Sequence, residues 1–217
     1  MVKAVIFDLD GTLLYTLDSI ALSTNKVLEA NGLPPVTHEQ LKRFVGDGVI
    51  DLLKRSFAAG GAAKEANEAH VAQFRACFRE DCDYHVAPYE GIPELLAFLE
   101  EAGMRAACNT NKPHENAVKL IKKHFGTHIA TVQGNVPELP KKPDAAGVNV
   151  IVKALGCAAE EAVYVGDSDV DIFTARNAGC RSIGAAWGYR GEEELKKAGA
   201  DFIAYNPTDI IEILKCK

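Results

Sequence analysis

From about residue 84 onward, short apolar runs alternate with longer stretches that carry apolar residues at helical spacing and end at glycine. Residues 93–103 predict a helix, with Pro93 in its first turn and Gly103 just past its end. Residues 104–108 predict a short buried strand, 116–124 a helix stopped by Gly126, and 129–132 a weaker strand. The series continues with a helix at 144–155, a strand at 162–165, a helix at 169–177 and a strand at 181–184. It ends with a helix at 192–198, a strand at 202–204 and a terminal helix at 207–215. Short apolar strands between amphipathic helices predict a parallel sheet covered on both faces. The run at 2–7 has the same character and joins that sheet as its first strand.

Residues 15–83 show no strand pattern. Helices are expected at 17–30, stopped by Asn31 and Gly32, and again from Thr37, which with Gln40 has the form of a capping box. Two more are expected at 49–58, after the break at Gly46 and Gly48, and at 62–80, after Gly60 and Gly61. A block without strands cannot belong to the sheet. The expected class is therefore α/β: a Rossmann-like parallel sheet core from residues 1–14 plus 84–217, with an inserted all-helical cap domain at 15–83.

At 217 residues the chain is long enough for one large domain or two unequal ones. Its formal net charge of −6 and the lack of a Lys/Arg tract argue against nucleic acid as a partner, because phosphate backbones need a basic footprint. Asp8 and Asp10 cut the first apolar run too early for a targeting core or a membrane span. Cys77, Cys82, Cys108, Cys157, Cys180 and Cys216 have neither CxxC nor zinc-ligand spacing. Reduced thiols and a cytoplasmic location are expected. Monomer and homodimer are both compatible with the sequence.

Four stretches carry candidate chemistry: Asp8-Leu9-Asp10-Gly11-Thr12, Thr110-Asn111-Lys112, Lys142-Pro143, and the run from Gly166 to Asp171. In a parallel α/β sheet, ligands bind outside the carboxyl ends of the strands, and each stretch falls at such an end or in a nearby loop. Two carboxylates one residue apart behind a buried strand are costly without a cation. Asp167 and Asp171 offer the same cation further oxygen ligands, which fits Mg²⁺ and a phosphate. Asp8, directly after its strand, suits a nucleophile that forms an aspartyl-phosphate. Asp10 suits the general acid and base, with its backbone carbonyl on the metal. Thr110 and Asn111 suit the non-bridging phosphate oxygens, through a hydroxyl and a backbone N–H respectively, and Lys142 suits the charge that develops in the transition state. Gly11 permits the turn after Asp10, and Thr12 is expected to fasten it by hydrogen bonding. Lys112 and Lys141 compete with Lys142 for the phosphate. Arg43, Asp47 and Arg55 are candidate substrate contacts in the cap.

These motifs resemble those of the haloacid dehalogenase-like superfamily, specifically its phosphatases with a helical cap after the first motif. Asp8-Leu9-Asp10-Gly11-Thr12-Leu13 and the run from Gly166 to Gly179 carry the resemblance. Val45-Gly46-Asp47-Gly48, Leu52-Leu53-Lys54-Arg55, Pro88-Tyr89-Glu90-Gly91 and Thr110-Asn111-Lys112-Pro113 are most similar to phosphoglycolate phosphatases. The resemblance implies a Mg²⁺-dependent phosphatase acting on a small phosphorylated metabolite, with 2-phosphoglycolate the leading candidate. It also implies that the strand before Asp8 lies beside the one before Asp167. Broad-range sugar-phosphate, nucleotide or pyrophosphate phosphatases and hexose-phosphate mutases of the same superfamily are the alternatives. The chain departs from the family pattern at Tyr15, where relatives commonly carry an acid, and at Ala145, where they carry a proline. Tyr15 bears on the cap hinge, and Ala145 is expected to loosen the loop carrying Lys142.

Overall fold

The computed structural model describes residues 2–215. Its elements run β1 (Ala4–Phe7), β2 (Leu14–Tyr15), α1 (Leu17–Ala30), α2 (His38–Phe44), α3 (Val49–Ala59), α4 (Glu68–Asp81), β3 (Ala87–Pro88), α5 (Ile92–Glu101) and β4 (Arg105–Pro113). They continue α6 (His114–Phe125), β5 (Ile129–Asn135), α7 (Ala146–Leu155), β6 (Ala162–Gly166), α8 (Asp169–Ala178), β7 (Arg181–Ala185), α9 (Glu192–Ala198), β8 (Phe202–Ala204) and α10 (Asp209–Lys215). Six of the strands form one parallel sheet in the order β5-β4-β1-β6-β7-β8. The sheet and its helices make this an α/β fold of the expected class.

All four side chains of β1 are fully buried, which is why its sequence is a continuous apolar run and not an alternating one. On one face, Ala4 and Ile6 pack with Ala107, Val148, Ile151, Tyr164 and Ala175 from the flanking strands and from α7 and α8. Burying an aliphatic side chain such as Ile6 contributes about 1.5–3 kcal/mol. That packing holds the central strand, and with it the direction in which residue 8 leaves the sheet.

Contacts divide the chain into two units, one comprising the residues up to Leu14 and from Pro88 onward, the other Tyr15–Ala87. The first holds the sheet, and the second holds α1 to α4. The helical block expected at 15–83 compares with a unit that runs from Tyr15 to Ala87. The segment between those two ends is turned, with the Tyr84 and Val86 N–H groups donating to the carbonyls of Asp81 and Asp83. In the helical unit the capping box at Thr37 and Gln40 is present and starts α2. The expected helix at 62–80 begins later, at Glu68. Asn67 caps it, its side chain accepting from the Ala69 N–H while its own N–H donates to His70 Nδ1. An Asn cap competes with continued helix for the same backbone groups, so residues before it stay irregular. Tyr15 donates its hydroxyl to Asp18, and His38 Nε2 lies 2.8 Å from the same Asp18 oxygen.

The five described cysteines are unbonded thiols; Cys216 lies outside the described residues. Among the described residues, no helix is long and apolar enough to cross a membrane.

Candidate active site

Parallel register brings the acidic motifs together. Phe7 pairs with Cys108 on one side and with Val165 on the other. Asp8, Asn109 and Gly166 therefore lie side by side just beyond the end of β1. The Asp8 N–H still donates to the Val165 carbonyl at 2.9 Å, which ties the nucleophile candidate to the end of β6. Strand β4 runs further than expected, through Thr110, Asn111 and Lys112 to Pro113. Its pairing with β5 shifts register between Asn109 and Pro113, and these polar residues are buried.

Asp8, Asp167 and Asp171 are buried, and one oxygen from each lies within 4.8 Å of the others. Lys142 enters this cluster, its Nζ 2.9 Å from Asp8 Oδ1 and 2.6 Å from Asp171 Oδ1. The other Asp171 oxygen accepts from the Ser168 hydroxyl at 2.6 Å and the Ser168 N–H at 3.1 Å, which caps α8. Gly166 makes room for this, since a Cβ there would lie 2.2 Å from Asp171 Cγ.

Fully ionised, the three carboxylates would carry two negative charges more than the Lys142 ammonium, which pairs with Asp8 and Asp171, can offset. Burial pushes the Asp8 carboxyl up to about 7, helped by the charge on Asp171 and opposed by Lys142. Burial, then Asp171 and Asp8, hold Asp167 well above the usual carboxylate range. Burial alone would lower the Lys142 ammonium, but Asp171 and Asp8 outweigh it and keep it firmly charged. Hard oxygen donors with surplus negative charge fit a divalent cation such as Mg²⁺.

This electrostatics has a measurable sign. A carboxyl raised to about 7 in the folded state takes up a proton on folding wherever pH lies between about 4 and that value. The native state then binds more protons than the unfolded chain. In excess chelator, the contribution of Asp8 to stability therefore falls as pH rises through this window. Asp8→Asn removes the charge. The chelated variant should be more stable than the parent, by a margin that grows from about pH 4 to about pH 7 and reaches a few kcal/mol. Urea midpoints measure it, and a margin independent of pH would contradict the buried-charge account.

Asp10 lies outside the three-carboxylate cluster. Its side chain pairs with Lys112 at 2.8 Å, and the Lys112 side chain is only 3% exposed. The structure thus separates the competing lysines, with Lys142 on Asp8 and Asp171 and Lys112 on Asp10. The Thr110 hydroxyl accepts from the Lys112 N–H at 3.2 Å. The Asn111 side chain makes two bonds to the Lys142 backbone: Oδ1 accepts from the Lys142 N–H at 2.9 Å, and Nδ2 donates to its carbonyl at 3.2 Å. Asn177 Nδ2 holds the Pro143 carbonyl at 2.9 Å. The Lys142 loop is therefore fastened from outside, and the absence of a proline at Ala145 does not leave it without ties. Thr12 fastens its turn through the backbone, its N–H donating to the Leu9 carbonyl at 3.4 Å. The hydroxyl instead donates to Asp167 Oδ1 at 3.2 Å. Asp169 accepts from the adjacent Val170 N–H, and His114 Nδ1 accepts from the Gly134 N–H, both structural roles.

In the helical unit, Arg55 forms an ion pair with Asp47 and donates to the Phe44 carbonyl at 2.9 Å. The two candidate substrate contacts thus hold each other and the α2–α3 connection. Arg43 is exposed. Sequence reasoning missed the role of Lys112 and that of Tyr189, whose backbone N–H donates to Asp167 Oδ2 at 2.7 Å. A buried lysine leaves no local sequence signal, and a backbone donor leaves none at all.

The pattern of the haloacid dehalogenase-like hydrolase family matches residues 5–185. The phosphoglycolate phosphatase of Rhodospirillum rubrum is 36% identical over 199 residues, which is 88% of this chain and 83% of that protein. The N-acetylmuramic acid 6-phosphate phosphatase of Pseudomonas aeruginosa is 31% identical, over 98% of this chain and 94% of that one. Among solved structures, a predicted phosphoglycolate phosphatase from Haemophilus somnus superposes with a TM-score of 0.87 over 98% of both chains at 27% identity.

Proposed function

Since this chain belongs to the haloacid dehalogenase-like hydrolase family, we propose that it is a Mg²⁺-dependent phosphatase of small phosphomonoesters, with 2-phosphoglycolate the leading substrate. The observation that carries this reading is the buried cluster of Asp8, Asp167 and Asp171, into which Lys142 brings an ammonium that pairs with Asp8 and Asp171.

Asp8, Asp167 and the Asp10 carbonyl would hold the ion. Asp171 contributes from the edge of that set, since one of its oxygens is held by the Lys142 ammonium and the other already accepts two hydrogen bonds from Ser168. When bound, Mg²⁺ would neutralise the repulsion between the Asp8 carboxylate and an incoming phosphate. The Asp8 oxygen forms a bond to phosphorus as the bond from phosphorus to the alkoxide breaks. Asp10 delivers its proton to the departing alkoxide, giving the free alcohol. Water then attacks the phosphorus of the aspartyl-phosphate while Asp10 accepts its proton, which releases phosphate and regenerates Asp8. Lys142 stabilises the charge on the transferring group, and Asn111 positions Lys142 by gripping its backbone. The Thr110 hydroxyl and the Asn111 N–H contact the phosphate oxygens. Lys112 holds the Asp10 carboxylate in place between the two half-reactions.

A panel of phosphorylated metabolites assayed for phosphate release tests this. 2-Phosphoglycolate is expected to give the highest kcat/KM. N-acetylmuramic acid 6-phosphate belongs on the panel because a relative of comparable identity is named for it. Chelator should abolish the activity and Mg²⁺ restore it. Full activity in excess chelator would overturn the metal reading, and isomerised product without free phosphate would point to a mutase.

A further inference from the structure

We propose that the loop formed by Trp187, Gly188 and Tyr189, together with Thr12, whose carbonyl the loop holds, is a positioning element for Asp167, aiming the carboxylate at the divalent ion and thereby setting the ion's affinity. This rests on the metal reading above. The loop follows β7 and turns back at once, the Gly188 N–H donating to the Ala185 carbonyl at 3.2 Å. It then closes a ring of contacts around one carboxylate. The Tyr189 N–H donates to Asp167 Oδ2 at 2.7 Å, and the Thr12 hydroxyl donates to Asp167 Oδ1 at 3.2 Å. The Thr12 carbonyl in turn accepts from the Trp187 indole N–H at 3.1 Å. Each Asp167 oxygen therefore has one donor from the protein and keeps lone-pair capacity for a cation.

Two glycines make this closure possible. A Cβ at Gly188 would lie 2.2 Å from Asp167 Cβ and 2.5 Å from the Gly11 carbonyl oxygen. A Cβ at Gly11, whose φ is +86°, would lie 2.5 Å from Asp167 Oδ2 and 2.9 Å from the Tyr189 ring. The loop and the first motif thus press on Asp167 from two sides, and neither has room for a side chain. Partners that orient a metal ligand in this way are typically worth about 10–100-fold in metal affinity.

Calorimetric titration of the whole protein with Mn²⁺, and with Mg²⁺ in competition, tests the proposal without recourse to turnover. Gly188→Ala and Thr12→Val should raise the dissociation constant about 10- to 100-fold. Thr12→Ser, which keeps the hydroxyl, should stay close to the parent. Thermal unfolding in chelator establishes that each variant is folded; if Gly188→Ala is not, Thr12→Val against Thr12→Ser decides. Unchanged constants in the folded variants would overturn the loop's role while leaving the metal site standing. No binding by the parent protein would instead overturn the metal site itself.

Discussion

Asp8→Asn is expected to leave no measurable phosphatase turnover in a protein that remains folded. The amide keeps the size of the carboxylate and its place after β1, where the backbone N–H is held by Val165. It cannot attack phosphorus. Loss of the covalent nucleophile of a hydrolase lowers kcat by roughly 10⁶-fold. The structure predicts that the variant stays folded. Asp8 is a buried acid crowded by Asp171, and Lys142 only partly compensates it. Its replacement by a neutral group therefore relieves the metal-free protein. Inactivity with equal or greater stability in chelator is the combination expected. Stopped assays with a sensitive phosphate detector and urea unfolding of the same preparation measure both. A variant that still turns over in a metal-dependent way would remove Asp8 from the chemistry.

Lys142→Met should damage both rate and stability. The ammonium lies within 2.9 Å of Asp8 and 2.6 Å of Asp171, and its side chain is 4% exposed. Removing one partner of a buried ionic cluster strands the others and typically costs about 3–5 kcal/mol. Removing a preorganised charge from the transferring group costs about 10²–10³ in kcat. The two effects can be separated. Adding Asp171→Asn to Lys142→Met removes a stranded charge, so stability should partly return, with non-additivity of the kind neighbouring residues show. The rate should not return, because no cation has been restored near the phosphate. Recovery of both would make Lys142 a structural counter-ion only.

Much of this was legible before any coordinates. The strand before Asp8 is apolar at every position because it is the central strand of a parallel sheet, and the helix at 17–30 matches α1 at both ends. Asp8, Asp167, Asp171 and Lys142 were all named from their motifs, and all four meet. What was not legible depends on contacts between distant parts of the chain. Lys112 could be read only as a competitor for phosphate, because its partner Asp10 lies 102 residues away. Thr12 looked like a local turn residue, yet its hydroxyl reaches Asp167 across 155 residues. Arg55 and Asp47 looked free to bind substrate, and their pairing depends on how α2 and α3 are joined. The helix expected from residue 62 failed for a local reason, the cap at Asn67, which helix-forming neighbours obscured.

Acid quenching of the enzyme in steady state with Mg²⁺ and 2-phosphoglycolate, followed by mass analysis of the peptide that contains Asp8, tests the central claim most directly. One phosphoryl group should be found on that peptide, attached at Asp8, and it should be absent from Asp8→Asn treated in the same way. Phosphate released at full rate with no phosphoryl group on Asp8 at any quench time would contradict the account.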